Sequence, residues 1–598
     1  MRRAHIMRPY KSNQMPSDAI WVDTETNPEI QLDGSEKHYL DFGYAVYRRR
    51  LSQHKWSKGD WLRFTNIDEY WEWALSKLHG HCKLYMFAHN WSFDAPVLDV
   101  FNELPDRNFK LAGAVIQSPP VILRWKRDGQ SLVLVDTLNI WRMPLKKLGE
   151  SIGLPKLTMP ERGAPREEWD KYGKRDTEII MHACIDWWSF LRDNDLGGFA
   201  LTIASQAIRT FRHRFMSHDI LIDDNATALE LARHSLHGGR TECFQIGKIK
   251  GDVYLLDYNS QYPAIMRNHY MPTRLLGTYR NVSIKDTKLW IKKYCLTIKC
   301  IVKTDKNVYP IVKNKRLVFP VGEFIAYLST PEIEYGLKHK LITKVIECNV
   351  YERALLFKDY VDWMYNYRLE CIASDNEVRA SMTKLLLTNL YGKFAQKGII
   401  YKKVEDTDDR SIDVWLEYDA DKEECYHYRR YAKIIELQDK ETESRDSHPA
   451  IAAHITAHGR MQIWGLMQGC GQGRYWYCDT DSLWVDKVAY EALAPQIDKS
   501  KLGFLKLENV SNDVTIWGAK DYCVGDKVVI KGIRSTAKKL HEDKYEQARF
   551  TTLIGLLRLG DLSAPVVTQI TKHLKRIYNK GTVAKDGSIT PFVVALDD

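Results

Sequence analysis

Acidic residues at the ends of apolar runs are the first chemistry legible in this chain of 598 residues. Asp23 and Glu25 form a D-x-E pair closing the run AIWVD, and a strand's period of two turns both carboxylates to one face. Asp94 follows a second run, KLYMFAH, within Asn90-Trp-Ser-Phe93-Asp94. Tyr172 and Asp176 stand at i, i+4 on one face of the helix-like stretch EEWDKYGKRDTEIIMHACIDWWSFLRD. If these elements converge, Asp23, Glu25, Asp94 and Asp176 repel one another unless cations neutralise them, which implies two Mg²⁺ or Mn²⁺ ions. Two ions suit phosphodiester hydrolysis: one lowers the pKa of an attacking water and the other stabilises the leaving oxygen, with Tyr172 orienting the water.

A second constellation repeats this logic. Asp257 ends the run VYLLD, and Asp479 and Asp481 occupy the turn of a hairpin, YCDTDSLWV, so carboxylates again stand at strand ends and a second two-metal site is expected. Between them Lys384, Thr388 and Tyr391 fall at i, i+4 and i+7 of a helical stretch. One helix face then presents an ammonium and an aromatic ring, as needed to hold a triphosphate and a base.

The elements that must position these groups set the domain plan. At ~150 residues per domain the length predicts about four units, and a composition 44% hydrophobic and 27% charged buries a core and excludes disordered and fibrous classes. The eleven cysteines are scattered without a C-x-x-C pair, which predicts reduced thiols rather than a disulfide framework or zinc ribbon. No run of ~18 apolar residues and no signal-type leader occurs, so a soluble, intracellular protein with no membrane span is expected. The basic leader, without an acid until Asp18, is expected to be a frayed tail. The net charge of +10 favours a polyanion only if it is concentrated in a groove. Strand-like and helical runs alternate from residue 18 to about 195, an α/β unit. The run GDVYLLDYNSQYP opens a second region, interrupted by a β-branched, Lys-rich insertion at 273–350, a helix pair ending at Gly392, and a polar insertion at 397–445 that reads as a surface subdomain. The last ~70 residues carry basic amphipathic stretches that could grip a polyanion.

The order D-x-E, N-x-x-F-D, Y-x-x-x-D, D-x-N-S-x-Y-P, K-x-x-x-x-N-x-Y-G, Y-x-D-T-D-S and K-x-Y resembles that of a family B DNA polymerase with its proofreading exonuclease. Its compact size and two insertions resemble the protein-primed branch of phages and linear plasmids. The resemblance spans most of the chain. It implies an α/β multidomain fold, a right-hand polymerase of palm, fingers and thumb with an N-terminal RNase H-like exonuclease. The exonuclease would cover 1–195, the palm 196–272 and 446–525, the fingers 351–396 and the thumb 526–598. Insertion 273–350 would contact a terminal protein that supplies the priming hydroxyl, and insertion 397–445 would enclose template and separate strands.

By the same resemblance, Asp257 and Asp481 are the principal polymerase metal ligands, joined by the Tyr258 carbonyl, with Asp479 in support. Lys384 and Arg368 contact the triphosphate, Tyr391 packs on the nascent base pair, and Tyr262 lies under the sugar and excludes a 2′-hydroxyl. Lys520 and Tyr522 hold the primer terminus. Thr26, His89, Asn90, Phe93, Thr137 and Leu138 hold a frayed single strand in the exonuclease, and Lys156 falls, by loop position, where the family has a catalytic-site lysine. Gly238 and Gly239 permit close approach to DNA. Two departures stand out: Thr388-Asn389 replaces the usual Asn-Ser, and Leu236 replaces a Tyr before His237-Gly238-Gly239. The implied activity is deoxynucleotide addition with pyrophosphate release, two Mg²⁺ per site, Mn²⁺ substituting. The implied partners are primer-template DNA, deoxynucleoside triphosphates and a terminal protein, joined by a monomer in the host cytoplasm or a plasmid-bearing organelle. Rival readings are a family B polymerase using nucleic-acid primers or none, and a catalytically silent DNA-binding scaffold.

Overall fold

The computed structural model describes residues 3–117, 119–161, 163–398, 401–439 and 442–596. Three parallel strands, Asp18–Ile30, Lys83–Ala88 and Gln130–Asp136, form the middle of a ten-stranded sheet, with Glu36–Arg49 antiparallel to the first. Helix Arg166–Asp193 packs across this sheet, with Glu167 and Glu168 in its first turn and Arg192 in its last, each complementing the helix dipole. Its Trp187, Trp188 and Phe190 share a core with Trp21 and Phe87 of the sheet and with Tyr360, Met364, Leu386 and Leu390 of two further helices. The N-terminal α/β unit and these helices therefore share one hydrophobic core.

The two helices are Lys358–Ala373 and Glu377–Phe394, the second capped by the Asn376 side chain on the Arg379 amide. The second runs two residues beyond the expected end at Gly392, because Leu390 and Phe394 are buried on the same face. Below them lies a five-stranded antiparallel sheet in the order Thr241–Cys243, Tyr475–Asp479, Ser482–Val485, Val253–Tyr258 and Leu505–Ser511. Helix Pro449–Cys470 covers it, and Ile463, Leu466 and Met467 join a core with Leu256 and Leu483.

Three expectations change. His5–Met7 is not a frayed tail: it pairs with Ile220–Ile222, and Met7 is fully buried. The 397–445 insertion contains a four-stranded sheet, but Tyr431 and Ile434 belong to a core shared with the N-terminal α/β unit, so it is docked rather than free-standing. The basic C-terminal region is divided between two neighbours. Val566–His573 extends the ten-stranded sheet against Glu36–Lys37, and Val593–Val594 runs parallel to Val321–Gly322 in the first insertion. No described helix is long and apolar enough to cross a membrane.

Candidate active sites

Strand Asp18–Ile30 carries Asp23 and Glu25, helix Arg166–Asp193 carries Asp176, and ligand atoms of these three lie within 4.8 Å of one another. Burial, reinforced by Asp176, Asp94 and the other carboxylates, holds Asp23 well above the ordinary carboxylate range. Burial, with Asp176 adding repulsion, raises Glu25 to about 7. Asp94 is set back from this trio. The Thr24 hydroxyl donates to it at 2.7 Å, and burial raises it to about 7 against that bond. Lys156 reaches the Asp176 carboxylate and lies 4.6 Å from the centroid of the Tyr172 ring. Burial works against the lysine's charge, but the Asp176 charge prevails and its pKa rises. The other Asp176 oxygen, Oδ1, is buried with no hydrogen-bond partner among the described residues. A crowded all-oxygen donor set with an orphaned acceptor fits hard divalent cations such as Mg²⁺ or Mn²⁺.

The strand-binding candidates border this cluster. Thr26 bonds His38 at 3.0 Å, and Phe93 meets the His38 ring edge-on at 5.6 Å. His89 bonds the Thr137 hydroxyl at 2.8 Å and the Met143 carbonyl at 2.9 Å, and burial drops it to about 4, so it is neutral. Asn90 turns the chain at φ 96. That turn depends on Asp136, missed in the sequence, whose buried carboxylate accepts the amides of Asn90 at 2.9 Å, Trp91 at 3.0 Å and Leu138 at 2.9 Å. Its available signal was an acid ending the strand SLVLVD immediately before Thr137-Leu138.

In the second site, the antiparallel register places Asp257 opposite Ser482, and the Tyr258 amide donates to the Asp481 carbonyl at 2.8 Å. Burial, then the Asp257 charge, raises Asp481 to about 6. Burial also raises Asp257, opposed by Lys506, whose Nζ lies 3.4 Å from Asp257 Oδ2. Lys506 was also missed. It sits directly opposite Asp257 in the neighbouring strand, and nothing in its local sequence marks it. Asp479 faces several donors: Thr241 Oγ1 at 2.9 Å, Thr480 Oγ1 at 3.3 Å, Tyr477 Oη at 3.4 Å and Lys520 Nζ at 3.5 Å. That donor set suits a supporting carboxylate.

Lys384 is exposed on the Glu377–Phe394 helix and its charge reaches Asp257, while Tyr391 meets Tyr262 at 4.7 Å between ring centroids. Thr388 turns its hydroxyl onto the Lys384 carbonyl, so it leaves that face to the lysine and tyrosine. Arg368 lies on the facing helix, with its Nε buried and without a hydrogen-bond partner among the described residues. Tyr522 packs on Tyr477 and Trp484, and the Lys520 amide donates to Tyr477 Oη at 3.1 Å. Gly238 borders open space, but Gly239 differs from expectation. Its close approach is to Thr480 of the hairpin turn between Asp479 and Asp481, where an added Cβ would sit 2.7 Å from Cγ2.

One chain thus carries two separate groups of acids: strand-end carboxylates on a hairpin near a helix that offers a cation and a ring, and the Asp23, Glu25 and Asp176 cluster. A family model described as DNA polymerase type B, organellar and viral, matches residues 178–460. The Bacillus phage phi29 DNA polymerase is 22% identical over 583 residues, covering 89% of this chain and 92% of that protein. A Kluyveromyces lactis DNA polymerase is 23% identical over 410 residues, 62% of this chain, which spans only 40% of that longer protein. Phi29 DNA polymerase complexed with primer-template DNA superposes with a TM-score of 0.67 at 17% identity, covering 94% of this chain and all of that one. These matches show the multidomain fold of a family B DNA polymerase, and the resemblance drawn from the seven motifs agrees with them.

Proposed function

We propose that the chain is a DNA-directed DNA polymerase with a 3′→5′ proofreading exonuclease, initiating from a terminal protein and displacing the strand ahead of it inside a host cell. The observation that carries this reading is the placement of Asp257 and Asp481 side by side at strand ends, beneath the helix that bears Lys384 and Tyr391. Phi29 polymerase, the structural relative, is known in complexes with single-stranded DNA and with primer-template DNA and incoming nucleotide. The same ligand classes are proposed here.

Asp257 and Asp481, with the Tyr258 carbonyl, would hold Mg²⁺ in the polymerase site, and Asp23, Glu25 and Asp176, with Asp94 behind them, in the exonuclease. The bound ions supply charge neutralisation for in-line phosphoryl transfer. The remaining work belongs to the chain. Lys384 draws in the triphosphate and Tyr391 stacks on the new base pair. Tyr262, packed against Tyr391, fills the space a 2′-hydroxyl would need. The primer 3′-oxygen then attacks the α-phosphate and pyrophosphate leaves. In the exonuclease, Lys156 restrains the charge of Asp176 and anchors Tyr172 beside the scissile phosphate.

The test is extension of a primed single-stranded circle with Mg²⁺ and deoxynucleotides and no helicase, with Asp481→Asn alongside. Products longer than one lap, absent in the variant, are expected. Synthesis that stops at one lap refutes strand displacement, and no synthesis refutes the polymerase reading. Adding Asp23→Ala with Glu25→Ala should spare extension and abolish degradation of a 3′-labelled oligonucleotide.

A further inference from the structure

Arg460, on helix Pro449–Cys470, is a buried cation that the proposed mechanism does not use: its side chain is 1% exposed and that of its partner Glu332 is fully buried. Nε and Nη2 both donate to Glu332 Oε1, at 3.0 and 2.8 Å. The second Glu332 oxygen is taken by the Ser329 amide at 3.1 Å, in the capping box of helix Thr330–His339 of the first insertion. Sequestering two charges this completely is weak evidence of stabilisation, since well-packed apolar residues of similar volume do as well.

The remaining Arg460 donor shows where the interaction leads. Nη1 donates to the carbonyls of His237, at 2.8 Å, and Gly238, at 2.9 Å. The next residues of that segment grip the catalytic turn. Gly239 lies so close to Thr480 that a Cβ would meet its side chain at 2.7 to 3.0 Å. The Arg240 carbonyl accepts the Thr480 amide at 2.7 Å, and the Thr241 hydroxyl donates to Asp479 at 2.9 Å. Thr480 needs such restraint because it stands at φ 62, a left-handed conformation that costs a β-branched residue energy and persists only where its surroundings enforce it. One residue before Arg460, Gly459 touches Tyr262, where a Cβ would lie 2.9 Å from the ring.

We infer that Arg460 is a positioning residue for nucleotide addition: braced by Glu332, it fixes residues 237–241, which hold the Thr480 turn and thereby set Asp479 and Asp481 against Asp257. This inference rests on the polymerase reading above. It also makes the first insertion, through Glu332, a mechanical support of the catalytic turn.

Single-nucleotide incorporation on a primed template tests it, with kcat and KM separated. Arg460→Lys keeps the charge but cannot span Glu332 and both carbonyls, so kcat should fall about 10- to 100-fold, the scale of a small misplacement of catalytic groups. KM for the deoxynucleotide should stay within about threefold, because Lys384 and Tyr391 are untouched. Gly239→Ala should reproduce the loss by pushing on Thr480, and adding Thr480→Gly, which removes the clashing side chain and accepts the left-handed turn, should restore most of it. Thermal unfolding of each variant confirms an intact fold, and Gly239→Ala keeps the inference testable should Arg460→Lys fail to fold. A folded Gly239→Ala with wild-type kcat, or a Gly239→Ala loss that Thr480→Gly leaves unrepaired, overturns it. Wild-type protein that adds no nucleotide overturns the polymerase reading instead.

Discussion

Replacing Glu25 by Gln should stabilise the metal-free protein, although Glu25 belongs to the proposed exonuclease machinery. In the native state burial and the Asp176 charge raise this group from 4.5 to about 7. Between those values the folded chain holds a proton that the unfolded chain has released, so local stability falls as pH rises through the window and stays low above it. At about 1.4 kcal/mol per pH unit the rise corresponds to about 3.5 kcal/mol, and solvent screening at a half-buried group reduces this to about 2 kcal/mol. The readout is hydrogen exchange of the Asp18–Ile30 strand, because a multidomain chain does not unfold in one step. In chelator at pH 8, Glu25→Gln should protect this strand about 30-fold better than wild type, the ratio that about 2 kcal/mol implies. At pH 4.5 the two should converge, and excess Mg²⁺ should remove the wild-type deficit at pH 8 by occupying the cluster. Equal protection at pH 8 in chelator would mean that neither burial nor the neighbouring carboxylates penalise the Glu25 charge, and the metal-site argument would fail.

Lys506→Met removes the cation that holds Asp257 down against burial, so the acidic limb of the pH profile of nucleotide incorporation should move to higher pH; an unmoved limb would separate Lys506 from Asp257. Asp136→Asn places an amide NH₂ against one of the three backbone amides its carboxylate accepts, a local cost of about 1–3 kcal/mol. The KM for a single-stranded oligonucleotide in the exonuclease assay should rise while primer extension is unchanged; an unchanged KM would refute the positioning of Asn90. Trp188→Ala empties a site lined by Trp21, Trp56 and Phe199, and hydrogen exchange of helix Arg166–Asp193 should record a local loss of about 3–5 kcal/mol; a loss below about 1 kcal/mol would show that the shared core collapses around the gap.

Asp23 with Glu25, Asp257, and Asp479 with Asp481 were legible because a strand's period of two and a tight hairpin turn are local properties, set by residues a few positions apart. Lys384 and Tyr391 were legible for the same reason on a helix. Lys506 was not, because its position opposite Asp257 depends on antiparallel register between strands about 250 residues apart, with an irregularity between Leu255 and Leu256. Gly239 looked like a glycine kept for DNA, whereas its neighbour in space is Thr480, 241 residues away along the chain.

The chemistry was thus determined by the sequence alone: which acids stand at strand ends, which helix face carries a cation and a ring, and in what order the motifs come. Only the tertiary structure decided how those groups are held. Arg460 reaching Glu332 and the 237–238 carbonyls, Val566–His573 joining the exonuclease-like sheet, and the N-terminal strand paired to Ile220–Ile222 are all contacts between distant segments. Such contacts follow from sheet register and from the need to satisfy every buried charge and backbone amide, conditions that no window of local sequence expresses.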